Sequence, residues 1–314
     1  WQFIRACMEL VELEKNPKYK SPLIVEIDQS TSCLQHIALV TGDAELAARV
    51  NLTDQYNDIY QEIADGIDEL SELEDNDRRK IIKLALVPWT YGGDAWSACQ
   101  NYHQSDMEFL AEMTSSQRLR FAHRMIQEIR QALPTAVAYI DDMKLQTDLR
   151  FANTTSRDAI WESPSGFTVR CFKQQTRESR VWVWASAAEE EGERDNLKRL
   201  KADEPLEAAD TAKIRSAFPP NFVHSIDAAV VHFVLAYTPE DQRCVSVHDA
   251  FGTHIKDVGD AKTRFKNAIH HIYSMNNPYQ VTIRGVPQQL AHPPEEDLSA
   301  ALLRQVYLAT HITN

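Results

Sequence analysis

CVSVHDAFGTHI, residues 244–255, is the stretch on which the fold turns. Val245 and Val247 build an arm before His248-Asp249, and Phe251 and Ile255 build one after it. The pattern predicts two short strands meeting at a tight turn. Working outward, LIVEI (23–27) is short, apolar and flanked by Pro22, so it reads as another buried strand, one that runs into Asp28. Most of the sequence between these strands has helical periodicity. Strands that must pair at such long range predict an α+β fold, one sheet interrupted by a large helical insertion.

The helical signals are uneven. Phe3, Ala6, Cys7 and Leu10 predict a helix ending near Asn16-Pro17. Tyr56, Ile59, Tyr60, Ile63, Ile67 and Leu70 fall on one stripe, with Thr53 or Asp54 as the expected N-cap. Residues 76–87 predict a basic helix broken at Pro88. Residues 105–133 read as helical, most clearly from Gln117 to Leu133. AIWESPSGFTVRCF, from about residue 158, reads as a hairpin around Ser163-Pro164-Ser165-Gly166. The charged stretch 187–212 has little apolar periodicity and is expected as a solvated surface loop. A helix, FVHSIDAAVVHFVLAY, is expected after Pro219-Pro220.

Composition narrows the function classes. A hydrophobic content of 43% and a charged content of 25% match an ordinary globular protein. No apolar run is long enough to cross a bilayer, and Arg5 and Glu9 break any signal-peptide pattern. Five scattered cysteines without CxxC spacing argue against a disulfide framework and a structural zinc, and for a reducing compartment. A net charge of −13 is unlike a nucleic-acid binder. Local basic clusters run the other way: Arg78, Arg79, Lys80 and Lys83, then Arg118, Arg120, Arg124 and Arg130.

Three constellations carry chemistry. Asp28 is a carboxylate at a strand end, costly to leave unpaired unless it caps the next helix through Ser30 or Ser32. Asp249 sits at a hairpin tip, where turns favour Asp in any case. Two carboxylates from separate strands of one sheet suit a pair of Mg²⁺ ions, which take hard oxygen ligands and a triphosphate. Arg79 and Lys83 share a helical face, with Tyr91 near the end of that stripe. Such a face suits nucleotide phosphates, or it is simply a solvated basic surface.

With these residues in order, the sequence resembles the single-subunit RNA polymerases of phage and mitochondrial type. That family carries an Asp-Gly-Ser-Cys-Ser-Gly-Leu-Gln-His motif, an Arg-x3-Lys-x7-Tyr-Gly helix, an Asn-Phe-Val-His-Ser-x-Asp segment and a His-Asp-Ser-Phe-Gly-Thr turn. The counterparts are DQSTSCLQH (28–36), RKIIKLALVPWTYGG (79–93), NFVHSID (221–227) and HDAFGTH (248–254), and the resemblance extends to the helix with Asp58 and Tyr60. It implies a right-hand palm with a large, mostly helical fingers insertion: palm in 1–45, fingers in 46–218, and palm again with a C-terminal segment in 219–314. It implies template-directed RNA synthesis from ribonucleoside triphosphates on DNA by two-metal nucleotidyl transfer. Asp28, Asp249 and the backbone carbonyl of Gln29 would hold two Mg²⁺ ions. Arg79 and Lys83 would grip the triphosphate, Lys83 also protonating the pyrophosphate. Tyr91 and His224 would select the ribose 2′-hydroxyl, and His248 would support the metal turn or serve as a structural histidine. Cys33 and His36 are expected as core or supporting residues.

Departures from the family carry expectations too. Gln29 replaces the usual Gly. Pro88 and Trp89 replace Thr and a small apolar residue, and Pro88 should kink the helix and re-aim Tyr91. The stretch 187–212 lies where relatives place a promoter-reading loop, and its acidic balance argues against that role except through Arg194, Lys198 and Arg199. The family's N-terminal domain and thumb find no counterpart before Trp1, so the chain reads as fingers and most of a palm. The expected partners are DNA template, RNA transcript and ribonucleoside triphosphates, in the cytoplasm of a phage-infected cell or an organelle matrix, with no membrane. The alternatives are a family A-like DNA polymerase, or a non-catalytic nucleic-acid-binding fragment.

Overall fold

The computed structural model describes residues 2–184, 197–247, 249–275, 301–306, 309, 312 and 313. The first half is α1 (Gln2–Lys15), β1 (Ile24–Ile27), α2 (Ser32–Thr41), α3 (Ala44–Arg49), α4 (Ile59–Asp65), α5 (Asp75–Thr90), α6 (Ala95–Gln104), α7 (Glu108–Ala111), α8 (Ser115–Ala132) and α9 (Pro134–Asn153). The second half is β2 (Ala159–Glu162), β3 (Thr168–Cys171), β4 (Gln174–Trp184), β5 (Leu197–Ala209), α10 (Thr211–Ala236), β6 (Cys244–Val247), β7 (Ala250–His254) and α11 (Val258–Met275). The fold is α+β, mostly helical, with small antiparallel sheets.

The sheet that organises the site has the order β1-β7-β6. Ile27 pairs with Phe251 and Ile24 with His254, while Val247 pairs with Ala250. Antiparallel pairing in this register brings the exit of β1, at Asp28, to the same end of the sheet as the β6–β7 turn carrying Asp249. One face is dry: Ile27, Phe251 and Thr253 are buried, and Phe251 meets Phe265 of α11 edge-on at 6.3 Å. Ile24, Val245 and Val247 are exposed on the other. Gly252 lies between them, where a Cβ would come within 2.8 Å of both Ile24 and Val245.

Helix α2 is buried from Ser32 to Val40, as expected of a helix packed on all sides. It contacts α3, α9 and α10. Trp161 of β2 inserts against Phe218 and Phe222 of α10 and donates its indole N–H to Ser225 Oγ at 2.9 Å. That anchor ties the β2–β3 hairpin to α10.

Five expectations about elements are corrected. The helix expected from Asp54 starts at Ile59, capped by Asp58, because Asn57 N–H turns back to Asn51 Oδ1 at 2.7 Å. It stops at Gly66, leaving Leu70 in a separate 3₁₀ turn. The span 105–133 is divided, α8 beginning afresh at a Thr114–Gln117 capping box. Helix α10 starts at Thr211 rather than after Pro219-Pro220, and runs through both prolines. Within the charged stretch, residues 197–209 form β5, paired with β4; residues 187–196 lie outside the described residues. Arg177 of β4 and Glu204 of β5, paired across the strands, form an ion pair at 2.8 Å.

Fifth, α5 is not broken at Pro88 but continues to Thr90. A proline in a helix leaves the carbonyl four residues back without its donor. Here that carbonyl, on Leu84, accepts from the Asn101 side-chain amide at 3.1 Å. Pro220 likewise frees the Ser216 carbonyl in α10, and Gly92 packs against it. A Cβ on Gly92 would stand 2.8 Å from that oxygen, and its φ of +78° is one that glycine adopts freely. The contact seats the end of α5 on α10, one turn before His224.

Candidate active site

Asp28 leaves β1 with its carboxylate accepting from Gln29 N–H at 2.8 Å. It does not cap α2, whose N-cap is Thr31. Its pKa lies above the usual carboxylate range. Desolvation is the first cause and the charge of Asp249 the second, with Gln29 N–H and Lys83 pulling the other way. The strand register brings the two acids to the same end of the sheet. Neither is in an ion pair with an arginine among the described residues. Such a pair of hard donors fits a divalent cation, which would relieve the repulsion.

The Gln29 side chain is buried, with neither amide atom hydrogen-bonded among the described residues, and its backbone bridges to Thr313. Ile312 O accepts from Gln35 Nε2 at 3.1 Å, so residues 312–313 brace the segment after Asp28. His248 lies outside the described residues.

The cationic face stands beside the acids. Asp58 uses Oδ1 to cap α4 and Oδ2 to hold Arg79 Nε at 2.6 Å. Arg79 lies over the Tyr60 ring at 5.2 Å, and Lys83 Nζ approaches the same ring at 5.9 Å. Burial pushes the Tyr60 phenol up to about 12, against the opposing pull of Arg79, so the platform stays neutral. Lys83 is exposed and close enough to Asp28 to act on its charge.

Tyr91, at the C-cap of α5, stacks on His224 of α10, with ring centroids 4.6 Å apart and planes 11° from parallel. Asn101 takes up the carbonyl that Pro88 frees, Gly92 packs on α10, and Tyr91 meets His224 at that helix end. Burial raises the Tyr91 phenol well above its ordinary value, and a hydrogen bond with Ser32 opposes the rise. The crevice between Tyr60, Ser32 and Tyr91 has a volume of about 40 Å³.

The family model for DNA-dependent RNA polymerase matches residues 1–290. The chain belongs to that family. It is of the single-subunit phage and mitochondrial type, as its motifs imply. Among its relatives, the mitochondrial DNA-directed RNA polymerase of Mus musculus is 26% identical over 281 residues, covering 82% of this chain. A chloroplastic DNA-directed RNA polymerase of Nicotiana sylvestris is 25% identical over 308 residues, 88% of the chain. The DNA-directed RNA polymerase of Pseudomonas phage phiKMV is 26% identical over 290 residues, 82% of the chain. The chain spans 22%, 30% and 34% of the length of these three polymerases. Among the described residues no helix is long and apolar enough to cross a membrane.

Sequence reasoning passed over one part of the site. Asp227, three residues after His224, is buried, and its Oδ1 accepts from His36 Nε2 at 2.8 Å. His36 Nδ1 meets the Tyr273 hydroxyl at 2.7 Å. The only sequence signal was the acid that ends NFVHSID, on a helix otherwise rich in apolar residues.

Proposed function

We propose that this chain carries the catalytic face of a DNA-directed RNA polymerase that adds ribonucleotides to a transcript on a DNA template. In this reading residues 1–45 and 219–314 are palm and 46–218 are fingers. The observation that carries it is the strand register that delivers Asp28 and Asp249 to one end of a sheet, beside Lys83.

Asp28, Asp249 and the Gln29 carbonyl would hold two Mg²⁺ ions. When bound, such ions stabilise the attacking 3′-oxygen and the leaving pyrophosphate. The chain's own residues do the rest. Arg79, kept straight by Asp58 and Tyr60, and Lys83 bind the triphosphate oxygens through charge-assisted hydrogen bonds. Lys83, exposed on the same helix face, supplies a proton to the pyrophosphate as it departs. Tyr91 and His224 present a stacked, hydrogen-bonding edge to the sugar. A site built to bond a hydroxyl rejects the analogue lacking it, because its own polar groups are then left unpaired. The ribose 2′-hydroxyl is that group here.

The test uses the complete polypeptide carrying these residues, a primed DNA template and each class of nucleotide. Mg²⁺-dependent addition of ribonucleotides, lost in Asp28→Asn and Asp249→Asn with template binding retained, is the expected result. Retained activity in either variant overturns the reading. Preference for deoxyribonucleotides would make the protein a DNA polymerase instead.

A further inference from the structure

We propose that His36 and Asp227 are positioning residues for the Tyr91–His224 stack, and through it for the choice between ribo- and deoxyribonucleotides. The inference rests on the reading of that stack as the sugar-facing pair. His36 is fully buried, and Asp227 is 5% exposed. An acid in such a place is costly unless it is paired and hydrogen-bonded. Simple stability would be served by one good partner, but this carboxylate is divided between two tasks. Oδ1 accepts from His36 Nε2 at 2.8 Å. Oδ2 faces Ser32 Oγ at 3.5 Å and His224 Nδ1 at 3.9 Å.

Ser32 and Tyr91 line the same narrow crevice. A polar chain therefore starts at the Tyr273 hydroxyl, passes through His36 to Asp227, and faces His224 directly and Tyr91 by way of Ser32. One tautomer satisfies every atom: the Tyr273 hydroxyl donates to Nδ1, and Nε2–H donates to Asp227. Burial holds the Tyr273 phenol protonated far above its ordinary range, so its hydrogen stays available.

The chain crosses four elements, with Tyr273 on α11, His36 and Ser32 on α2, Asp227 and His224 on α10, and Tyr91 at the end of α5. Its inner end is dry, whereas the His224 side chain is 54% exposed and open to a ligand. Two stacked rings can slide and turn about their planes. Fixing the polar edge of each from behind orients the atoms that meet a sugar, which is what a supporting layer does for a site's contact residues.

The experiment measures kcat/KM for ribo- and deoxyribonucleotides with Asp227→Asn and Tyr273→Phe, each in wild-type and Tyr91→Phe backgrounds of the complete polypeptide. With a folded state verified by thermal melting, Asp227→Asn lowers the ribo-to-deoxy ratio roughly tenfold and Tyr273→Phe roughly threefold. Both falls shrink once Tyr91→Phe is present, because that change removes the hydroxyl on the Ser32 branch and leaves only the branch to His224. Should Asp227→Asn not fold, Tyr273→Phe, which removes a single hydroxyl and keeps the packing, carries the test. An unchanged ratio, or the same fall in both backgrounds, overturns the inference alone. A wild-type protein that adds no ribonucleotide overturns the inference together with the reading beneath it.

Discussion

Asp158 and the Asp28–Asp249 pair are acidic sites built in opposite ways. Asp158 is buried between Arg150, at 3.1 Å, and Arg170, at 2.8 Å, with a further bond from Ser156. Burial pushes its carboxyl up, but the bonds from Ser156, Arg170 and Arg150 outweigh it and hold the pKa below the usual range. Asp28 has no arginine among the described residues, and desolvation and Asp249 hold it above that range. The first acid has its counter-charge within the fold. The second keeps a like charge for a neighbour and an open side, an arrangement that costs stability and leaves room for a cation. Where the cations stand therefore says more about an acid's role than its burial does.

The largest expected effect separates the two sites by chemistry. Asp28→Asn or Asp249→Asn should lower ribonucleotide addition by about a thousandfold or more, and chelation of Mg²⁺ should do the same, read by primer extension. Asp158→Ala should instead cost stability, about 3–5 kcal/mol, because it takes the carboxylate partner away from the buried Arg150. Denaturant melts would measure that loss, with activity per folded molecule unchanged. A smaller loss, about 1–2 kcal/mol, is expected for Asn101→Ala, which leaves the Leu84 carbonyl without a donor. That variant should also loosen sugar selection, since Tyr91 sits at the end of the same helix.

The smallest effect has the most telling sign. Asp28 binds its proton more tightly in the folded protein than in the unfolded chain. Its ionisation therefore costs the fold, and that cost appears as pH rises from the ordinary carboxylate range through the raised value. Asp28→Asn should thus melt slightly higher than wild type at neutral pH without metal, and alike in acid. Added Mg²⁺ should narrow the gap by stabilising only the wild type. A variant that melts lower at neutral pH would place Asp28 with Asp158, as a structural acid.

Much of this contrast was legible in the sequence, for local reasons. LIVEI and CVSVHDAFGTHI declare themselves as strands because alternation and turn residues act over a few positions, and the hairpin at 159–171 does likewise. Arg79 and Lys83 share a face by helical spacing alone. What escaped depends on partners remote in sequence. Pro88 reads as a break because Asn101, which takes up the freed carbonyl, lies on another helix. Strand β5 reads as a loop because its own charged composition does not reveal the partner strand, β4, that pairs with it. Asp227 looks like an ordinary helical acid until His36 of α2, 191 positions earlier, is folded against it.

Anomalous scattering from crystals of the complete polypeptide, soaked with Mn²⁺ and a ribonucleoside triphosphate, tests the central claim most directly. The account predicts metal peaks contacted by carboxylate oxygens of both Asp28 and Asp249, with the triphosphate running toward Lys83 and Arg79. Metal bound to only one of these acids, or held elsewhere while the nucleotide is in place, would contradict it.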